Sequence, residues 1–446
     1  MILRQVLWVA ILVLAHGLAE AQPGTWTLLP NSPLPAQNLR HEDMSFPSPD
    51  RGYVVNFNGE LHRTLDGGET WEKLHTAKTF TEQPVRFRSV GFATEDKGWI
   101  GALTEGYVLW QTDDGGVTLR NLTARLPSGG DLGICGLWVV DENVVYGVGR
   151  YYGPARLYMT KDGGLTWTVK NMDQYAGRLI DVFFFDEMNG FAVGGSSEVG
   201  GLSHAVVLRT RDGGATWEVK HVSENTGEWG WKISFPSPDV GYVSVERYPV
   251  GVARVLKTGD GGETWSESII PESRPLQGLG FITKWQGWAS GRGTTSRTLD
   301  GGVTWQVDET DLDPVVNRFR MLGDTLGYAL GGRVYKYLGT TQVNAETIEV
   351  PETQRLLGQN YPNPFYPLTT FEYEILQSES VEIAVYDLLG RRVKLLVSQK
   401  QTAGAHRAMW DGSDETGRRV TPGFYLYSLH TGGHVETRKM VLLASP

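Results

Sequence analysis

Six aspartates, Asp66, Asp114, Asp162, Asp212, Asp260 and Asp300, recur inside one phrase, Thr-x-Asp-Gly-Gly-x-Thr. Carboxylates brought together can hold a cation or serve as the acid and nucleophile of a glycosidase. The intervals of 48, 48, 50, 48 and 40 residues argue against that chemistry, because they place one aspartate in each of six successive units. Such carboxylates are too dispersed for a shared site. Asp-Gly-Gly between two apolar, β-like runs is instead a hairpin turn. The glycines supply positive φ, and the Asp carboxylate and Thr hydroxyls take up backbone N–H groups. The six aspartates are therefore expected to be structural, with no metal and no catalytic residue among them. Five copies end in a tryptophan (Trp71, Trp167, Trp217, Trp265, Trp305) and the second in Leu119, so each turn is followed by an apolar plug expected to pack against a neighbouring unit.

Arginines offer a different chemistry. A second phrase, an aromatic followed six residues later by Gly and another aromatic, occurs at Phe46…Gly52-Tyr53, Phe92…Gly98-Trp99, Phe184…Gly190-Phe191, Phe235…Gly241-Tyr242 and Phe281…Gly287-Trp288. Weaker copies stand at Val139…Val145-Tyr146 and Met321…Gly327-Tyr328. Twelve residues before that Gly stand Arg40, Arg86 and Arg178. The same slot holds Gly133, Trp229, Pro275 and Val315 in the other units, with Arg274 one residue away. Arginines at one repeat phase gather on one surface, and guanidinium groups suit carboxylate or phosphate ligands. The expectation is a mouth that binds an acidic peptide or an anionic glycan. The alternative is that each arginine pairs with a local acid such as Glu42, Glu82 or Asp181.

The elements that position these residues are short strands with a period near 48, the signature of a β-propeller. The second phrase counts seven units. The seventh ends at Tyr337 without a turn phrase, and its missing strand is supplied at the other end by Gly24-Thr25-Trp26-Thr27-Leu28-Leu29. The fold expected is all-β: a seven-bladed propeller over 22–338, closed by the N-terminal strand, then a linker over 339–356 and a small immunoglobulin-like sandwich over 357–446.

The chain has 446 residues, enough for more than one domain, and 40% hydrophobic residues, enough for a core. A net charge of −10 opposes a nucleic-acid partner. Residues 1–21 read as a signal peptide: Arg4, the apolar run Val6–Leu14, and Ala19-Glu20-Ala21 as the cleavage site. The apolar run is too short for a transmembrane segment. The single cysteine, Cys135, excludes an internal disulfide and sits in an apolar run as an expected buried thiol.

Residues 359–443 carry Asn360-Tyr361-Pro362-Asn363-Pro364-Phe365, Val385-Tyr386-Asp387-Leu388-Leu389-Gly390, Trp410-Asp411-Gly412, Pro422-Gly423-Phe424-Tyr425 and Lys439-Met440-Val441-Leu442-Leu443. In this order they closely resemble the type A C-terminal sorting domain of the type IX, or Por, secretion system. That resemblance implies export through the type IX machinery, by way of the periplasm, to the medium or the outer-membrane surface. The run Asp411–Gly417 lacks the full alternating ligand set of a calcium loop and reads as a turn.

The turn phrase itself resembles the Asp-box, or bacterial neuraminidase repeat. Together with the blade count, it makes residues 24–338 resemble the photosystem II stability/assembly factor family, which implies a protein-binding scaffold. A photosystem role does not suit an exported chain. Sialidases carry Asp-boxes too, but need an arginine triad, a tyrosine nucleophile and partner acids. Tyr151-Tyr152 offers phenols, yet no phrase ties one to a glutamate. Xyloglucan-type glycosidases use two propellers, and only one is present. No metal spacing, nucleophile elbow or phosphate loop occurs. The expected function is a non-catalytic, cofactor-free interaction scaffold, with a glycan-binding module or a sialidase-like glycosidase as the alternative.

Overall fold

A computed structural model describes residues 24–339 and 357–443, apart from positions 36–39, 77, 83, 128–131, 198–201, 249–250, 271–274, 309, 311, 313–314, 359, 361–362, 364, 376–377, 388–390 and 432–433. The expected signal peptide, nearly all of the linker and Arg274 lie outside the described residues. The chain divides into two compact units, Met1–Gln342 and Val343–Pro446.

The first unit is a ring of seven four-stranded antiparallel sheets. From the channel outward, blade 1 comprises His41–Ser45, Gly52–Asn56, Leu61–Thr64 and Glu72–His75. Blades 2 to 6 repeat this order, with innermost strands Phe87–Phe92, Gly136–Val139, Arg178–Phe184, Glu228–Ser234 and Leu276–Phe281. Blade 7 has only three consecutive strands, Arg318–Leu322, Leu326–Leu330 and Val334–Leu338. Its outer strand is Thr25–Leu28, paired Thr25↔Leu338 through Leu28↔Tyr335. The ring therefore closes by joining the two ends of the propeller sequence.

The second phrase has a direct packing cause. A Cβ on Gly52 would lie 2.3 Å from the Phe46 ring, and Gly98, Gly190, Gly241 and Gly287 meet their own phenylalanines in the same way. The far face of that ring stacks on an aromatic of the preceding blade, Phe191 for Phe235 and a tyrosine for the other four. Tyr53 lies on Phe92 and Tyr146 on Phe184, each at 3.6 Å, and Tyr242 lies on Phe281 at 3.5 Å. Tyr328 lies on Phe46 at 3.6 Å, across the closure. Each of these tyrosine hydroxyls also donates to a carbonyl of the next blade, as Tyr53 does to Glu95 O at 2.6 Å and Tyr328 to Pro49 O at 3.1 Å. The tryptophans join the same layers edge-on: Trp71 to Phe46, Trp217 to Phe184 and Trp305 to Phe281. Blades are thus joined by repeated aromatic sandwiches, each pair worth about 0.5–1.5 kcal/mol beyond its buried area. Leu119, the one non-tryptophan plug, packs against the cluster of Tyr53, Phe87 and Trp110.

The second unit is a sandwich. Thr369–Ile375 pairs with Gly404–Trp410 in one sheet, and the other has the order Arg392–Gln401, Glu379–Tyr386, Gly423–Thr431, His434–Leu442. Phe365, Phe371, Trp410, Tyr427 and Met440 fill its core. The Asn-Pro-Phe segment is tied to the last strand: Phe365 N donates to Val441 O and Leu443 N donates to Phe365 O, both at 2.9 Å. Val441 N donates to Asn363 Oδ1 at 2.9 Å. Asp411 accepts from Ser413 N and Oγ, and Asp414 from Thr416 and Arg418, so both carboxylates serve their own turns.

Candidate functional site at the channel mouths

Strands alternate in direction within each blade. One face of the ring, here the lower face, therefore carries the turn after each inner strand together with the Asp-Gly-Gly turn. Gly67 N, Gly163 N and Gly301 N donate to Asp50 O, Asn143 O and Trp285 O, which binds the two turns of each blade to one another. The upper face carries the starts of the inner strands.

All six aspartates sit in the lower-face turns. In blade 3, Thr160 Oγ1 donates to Asp162 Oδ1 at 2.8 Å, Gly164 N donates to Thr160 Oγ1 at 2.9 Å, and Thr166 donates to Asp162 through both N and Oγ1 at 2.9 and 2.6 Å. Gly163 and Gly164 have φ of 70° and 87°, as the turn requires. The same bonds recur at Asp66, Asp114, Asp212, Asp260 and Asp300. Hydroxyl and amide donors from the second threonine hold Asp66, Asp162, Asp260 and Asp300 down at about 2. Among the described residues, no group of three His, Cys, Asp or Glu side chains could hold a metal ion.

This has a pH consequence. A carboxylate whose folded pKa lies below its ordinary 3.8 adds stability that is complete above that value and lost as pH falls toward 2. An Asp162→Asn variant is expected to melt below the parent at neutral pH, with the gap closing over that acid window. A gap that persists unchanged at pH 2 would contradict this account.

The three arginines stand at the upper face and have three different surroundings. Arg40 Nε lies 3.3 Å from Glu42 Oε1, and Arg40 Nη1 bonds Gln277. Here the local-acid alternative holds. Arg86 is exposed and makes no ion pair among the described residues, with Glu82 or otherwise. Arg178 is buried with its guanidinium 4.9 Å from the Trp229 ring. Asp181, three residues on, is taken by other cations.

Beside them lie residues that the twelve-residue slot did not mark. Arg88 Nη1 sits 3.2 Å from Glu42 Oε2, so Glu42 bridges Arg40 and Arg88. The Arg88 guanidinium also lies 5.9 Å from the Trp231 ring and 6.0 Å from Phe57. Gln277 Nε2 donates to Glu246 Oε1 at 2.8 Å, and burial raises the Glu246 pKa. Trp231, 5% exposed, has no hydrogen-bond partner for its indole N–H among the described residues. The upper mouth therefore joins guanidinium groups to an aromatic wall.

Below it, the channel is crossed by charge. Arg318 Nε lies 2.7 Å from Asp43 Oδ1 and its Nη1 3.1 Å from Asp181 Oδ2. Arg320 Nη2 reaches Asp43 at 3.3 Å, and Lys232 Nζ lies 3.9 Å from Asp181. Burial opposes ionisation of both aspartates, but Arg318 with Arg320 keeps the Asp43 pKa low, and Arg318 with Lys232 does so for Asp181. Lys232 is pushed down to about 7 by burial and by Arg318. Asp43, Asp181, Lys232 and Arg318 all stand nine residues before the repeated Gly. Opposite charges at one repeat phase are the signal that would have found them. Cys135, by contrast, is the buried thiol expected from its apolar run.

Architecture and repeat together define a seven-bladed propeller of the BNR, or Asp-box, type, followed in the chain by an immunoglobulin-like domain. The family model described as photosynthesis system II assembly factor YCF48 matches residues 25–133, and that of the FlgD Ig-like domain matches residues 369–433. The photosystem II assembly lipoprotein Ycf48 of Synechococcus sp. (strain CC9902) is 28% identical over 352 residues, 74% of this chain and 95% of the relative. The solved YCF48 of Cyanidioschyzon merolae is similar with a TM-score of 0.54 and 21% identity, over 70% of this chain and 99% of the other. A structure described as YCF48 bound to D1 peptide gives 0.53 and 23%, over 72% and 98%. The propeller is thus Ycf48-like in fold.

Proposed function

We propose that the propeller is a non-catalytic protein-interaction scaffold whose upper mouth takes an acidic partner segment. The observation that carries this reading is the meeting of guanidinium groups with aromatic faces at one mouth: Arg88 against Trp231 and Phe57, Arg178 against Trp229, with Arg86 open to solvent. Desolvated guanidinium groups backed by rings bind carboxylates strongly and without the hydration cost of lysine. The similarity to Ycf48, one solved form of which holds a peptide, agrees with a polypeptide ligand. The carboxylates at this mouth are engaged, Glu42 by two arginines and Glu246 by Gln277, which leaves neither placed as a free nucleophile. The aromatic wall keeps an anionic glycan as the competing ligand.

The test is a titration of the full chain with a fluorescent Glu-rich decapeptide and, separately, with an oligoglucuronate. The peptide should bind, and Arg86→Ala combined with Arg178→Ala should weaken it at least about tenfold while the thermal melt is retained. Parent-like binding by that variant, or binding of the oligoglucuronate alone, overturns the reading.

The sandwich acts in this proposal as a type IX export address, read by the secretion machinery, with the propeller as cargo delivered to the medium or the cell surface. Its support is the run of sorting-domain phrases, of which Phe365, Trp410 and Leu442 are buried structural members. A reporter fused to residues 357–446 should leave a type IX-competent cell and stay inside a mutant lacking that system. Equal release from both would exclude it.

A further inference from the structure

The lower mouth of the channel differs in chemistry from the upper one. Four aromatic rings from the ends of three neighbouring inner strands meet there: Trp138 lies 4.5 Å from Phe183, and Phe183 lies 4.9 Å from Phe185 and 5.2 Å from Phe235. None of the four is fully buried, and Phe185 is 38% exposed with Met188 beside it at 40%. Trp138, Phe183 and Phe235 rest with their buried sides on the hydrophobic core, and Phe185 and Met188 stand exposed over them, so the rings form one contiguous, partly open apolar surface of the kind that marks an interaction site. Next to Trp138, a shallow cavity of about 150 Å³ opens between Phe92, Leu137, Val139 and Met321.

The three turns that frame this patch carry charge of one sign, with the ammonium groups of Lys97 and Lys161 near the backbone of the first two. The turns that follow the inner strands of blades 3, 4 and 5 read Val-Asp-Glu-Asn-Val, Phe-Asp-Glu-Met-Asn and Pro-Ser-Pro-Asp-Val. They place Asp141, Glu142, Asp186, Glu187 and Asp239 around the rings, all exposed, with no lysine or arginine in the three turns. Asp141 and Asp186 accept backbone N–H bonds within their turns, which fixes the carboxylates in place. Arg320, the cation nearest the cavity, is spent on Asp43 and on Met44 O. An acidic rim repels acidic lipid headgroups and acidic peptides, and attracts cations that flank an apolar anchor.

We propose that the lower mouth is a second, independent docking site, for a basic segment of a protein partner that inserts an aromatic or large aliphatic side chain among Trp138, Phe183, Phe185 and Phe235 while its Lys or Arg residues meet the carboxylates of the three turns. The propeller is then two-sided, with an arginine mouth above and a carboxylate-rimmed aromatic mouth below.

The test uses the full chain and a fluorescein-labelled nonapeptide, Lys-Lys-Lys-Trp-Leu-Trp-Lys-Lys-Lys. Controls are the same peptide with Glu in place of Lys, and nonalysine. The basic aromatic peptide should bind. Binding should weaken at least about tenfold with Phe185→Ser, measured at a temperature where that variant is still fully folded, and several-fold with Asp186→Asn plus Glu187→Gln. Arg86→Ala should leave it unchanged. Equal binding of nonalysine would reduce the site to charge alone and overturn the proposal. So would undiminished binding by Phe185→Ser. Self-association of the chain that Phe185→Ser abolishes, without peptide binding, would assign the patch to a second copy instead.

Discussion

Replacing Trp26 by alanine is expected to cost about 3–5 kcal/mol of propeller stability, the range of a buried large-to-small change. Trp26 belongs to the strand supplied by the N-terminal end of the chain, and its ring does more than fill a blade. It lies 5.2 Å from Trp288 of blade 6, 5.2 Å from Tyr337 and 5.6 Å from Phe319 of blade 7. One side chain thus holds the closing strand to its blade and that blade to its neighbour. A ring differs from an open repeat array because loss of the closure exposes two blade faces as well as one edge. Removing Thr25–Leu28 altogether would leave Val334–Leu338 as an unpaired edge with alternate apolar residues, a template for aggregation. Urea unfolding followed by tryptophan-independent circular dichroism measures the first change, and light scattering of the truncated chain the second. A Trp26→Ala variant within about 1 kcal/mol of the parent would mean that the Tyr328–Phe46 stack alone holds the ring shut.

The blade count and the closing strand could be read from spacing because turn chemistry and the Phe–Gly contact are local. Gly52 must be glycine for Phe46 to lie across it, and that demand is visible six residues apart in the chain. The sandwich strands were legible from alternation for the same reason. Thr369–Ile375 gives a weaker local signal, since it follows a Pro-rich run and pairs with Gly404–Trp410, far along the chain. The channel was harder. Counting by twos from the arginine slot would place Glu42 and Met44 toward the axis. A β-bulge intervenes at the same phase in five blades, between His41 and Asp43 in the first and between Leu179 and Asp181 in the fourth. One extra residue turns the following side chain to the other face. Asp43 and Asp181 therefore look inward, and their partner Arg318 comes from the opposite end of the chain. Long-range ion pairs leave no local trace beyond their shared phase.

Arg318→Met is expected to destabilise the propeller by about 3–5 kcal/mol, the cost of stranding a buried charge. Arg318 is 3% exposed and bonds aspartates of blades 1 and 4 across the channel. With it gone, Asp43 keeps Arg320 as its ion-pair partner beside the Met44 and Val90 N–H groups, and Asp181 keeps Lys232 at 3.9 Å, a lysine whose own charge burial already disfavours. The pairing, rather than the presence of charge, is what the channel needs. Adding Asp43→Asn and Asp181→Asn to Arg318→Met removes the stranded anions and should recover part of the loss, because the two cations left behind are the partly exposed Arg320 and Lys232, which burial already turns toward the neutral amine. The pH dependence separates this from a simple packing defect. In the parent both carboxyls sit below their ordinary pKa of 3.8, so their contribution is complete above that value and fades below it. In Arg318→Met, burial without its countercharge raises both carboxyls, the folded state takes up protons more readily than the unfolded chain, and the variant regains ground as pH falls. Urea midpoints measured from neutral pH down to about pH 4 should therefore converge for parent and single variant. A loss below about 1 kcal/mol, or a triple variant no more stable than the single one, would show that the channel is held by its aromatic layers and that its charges are bystanders.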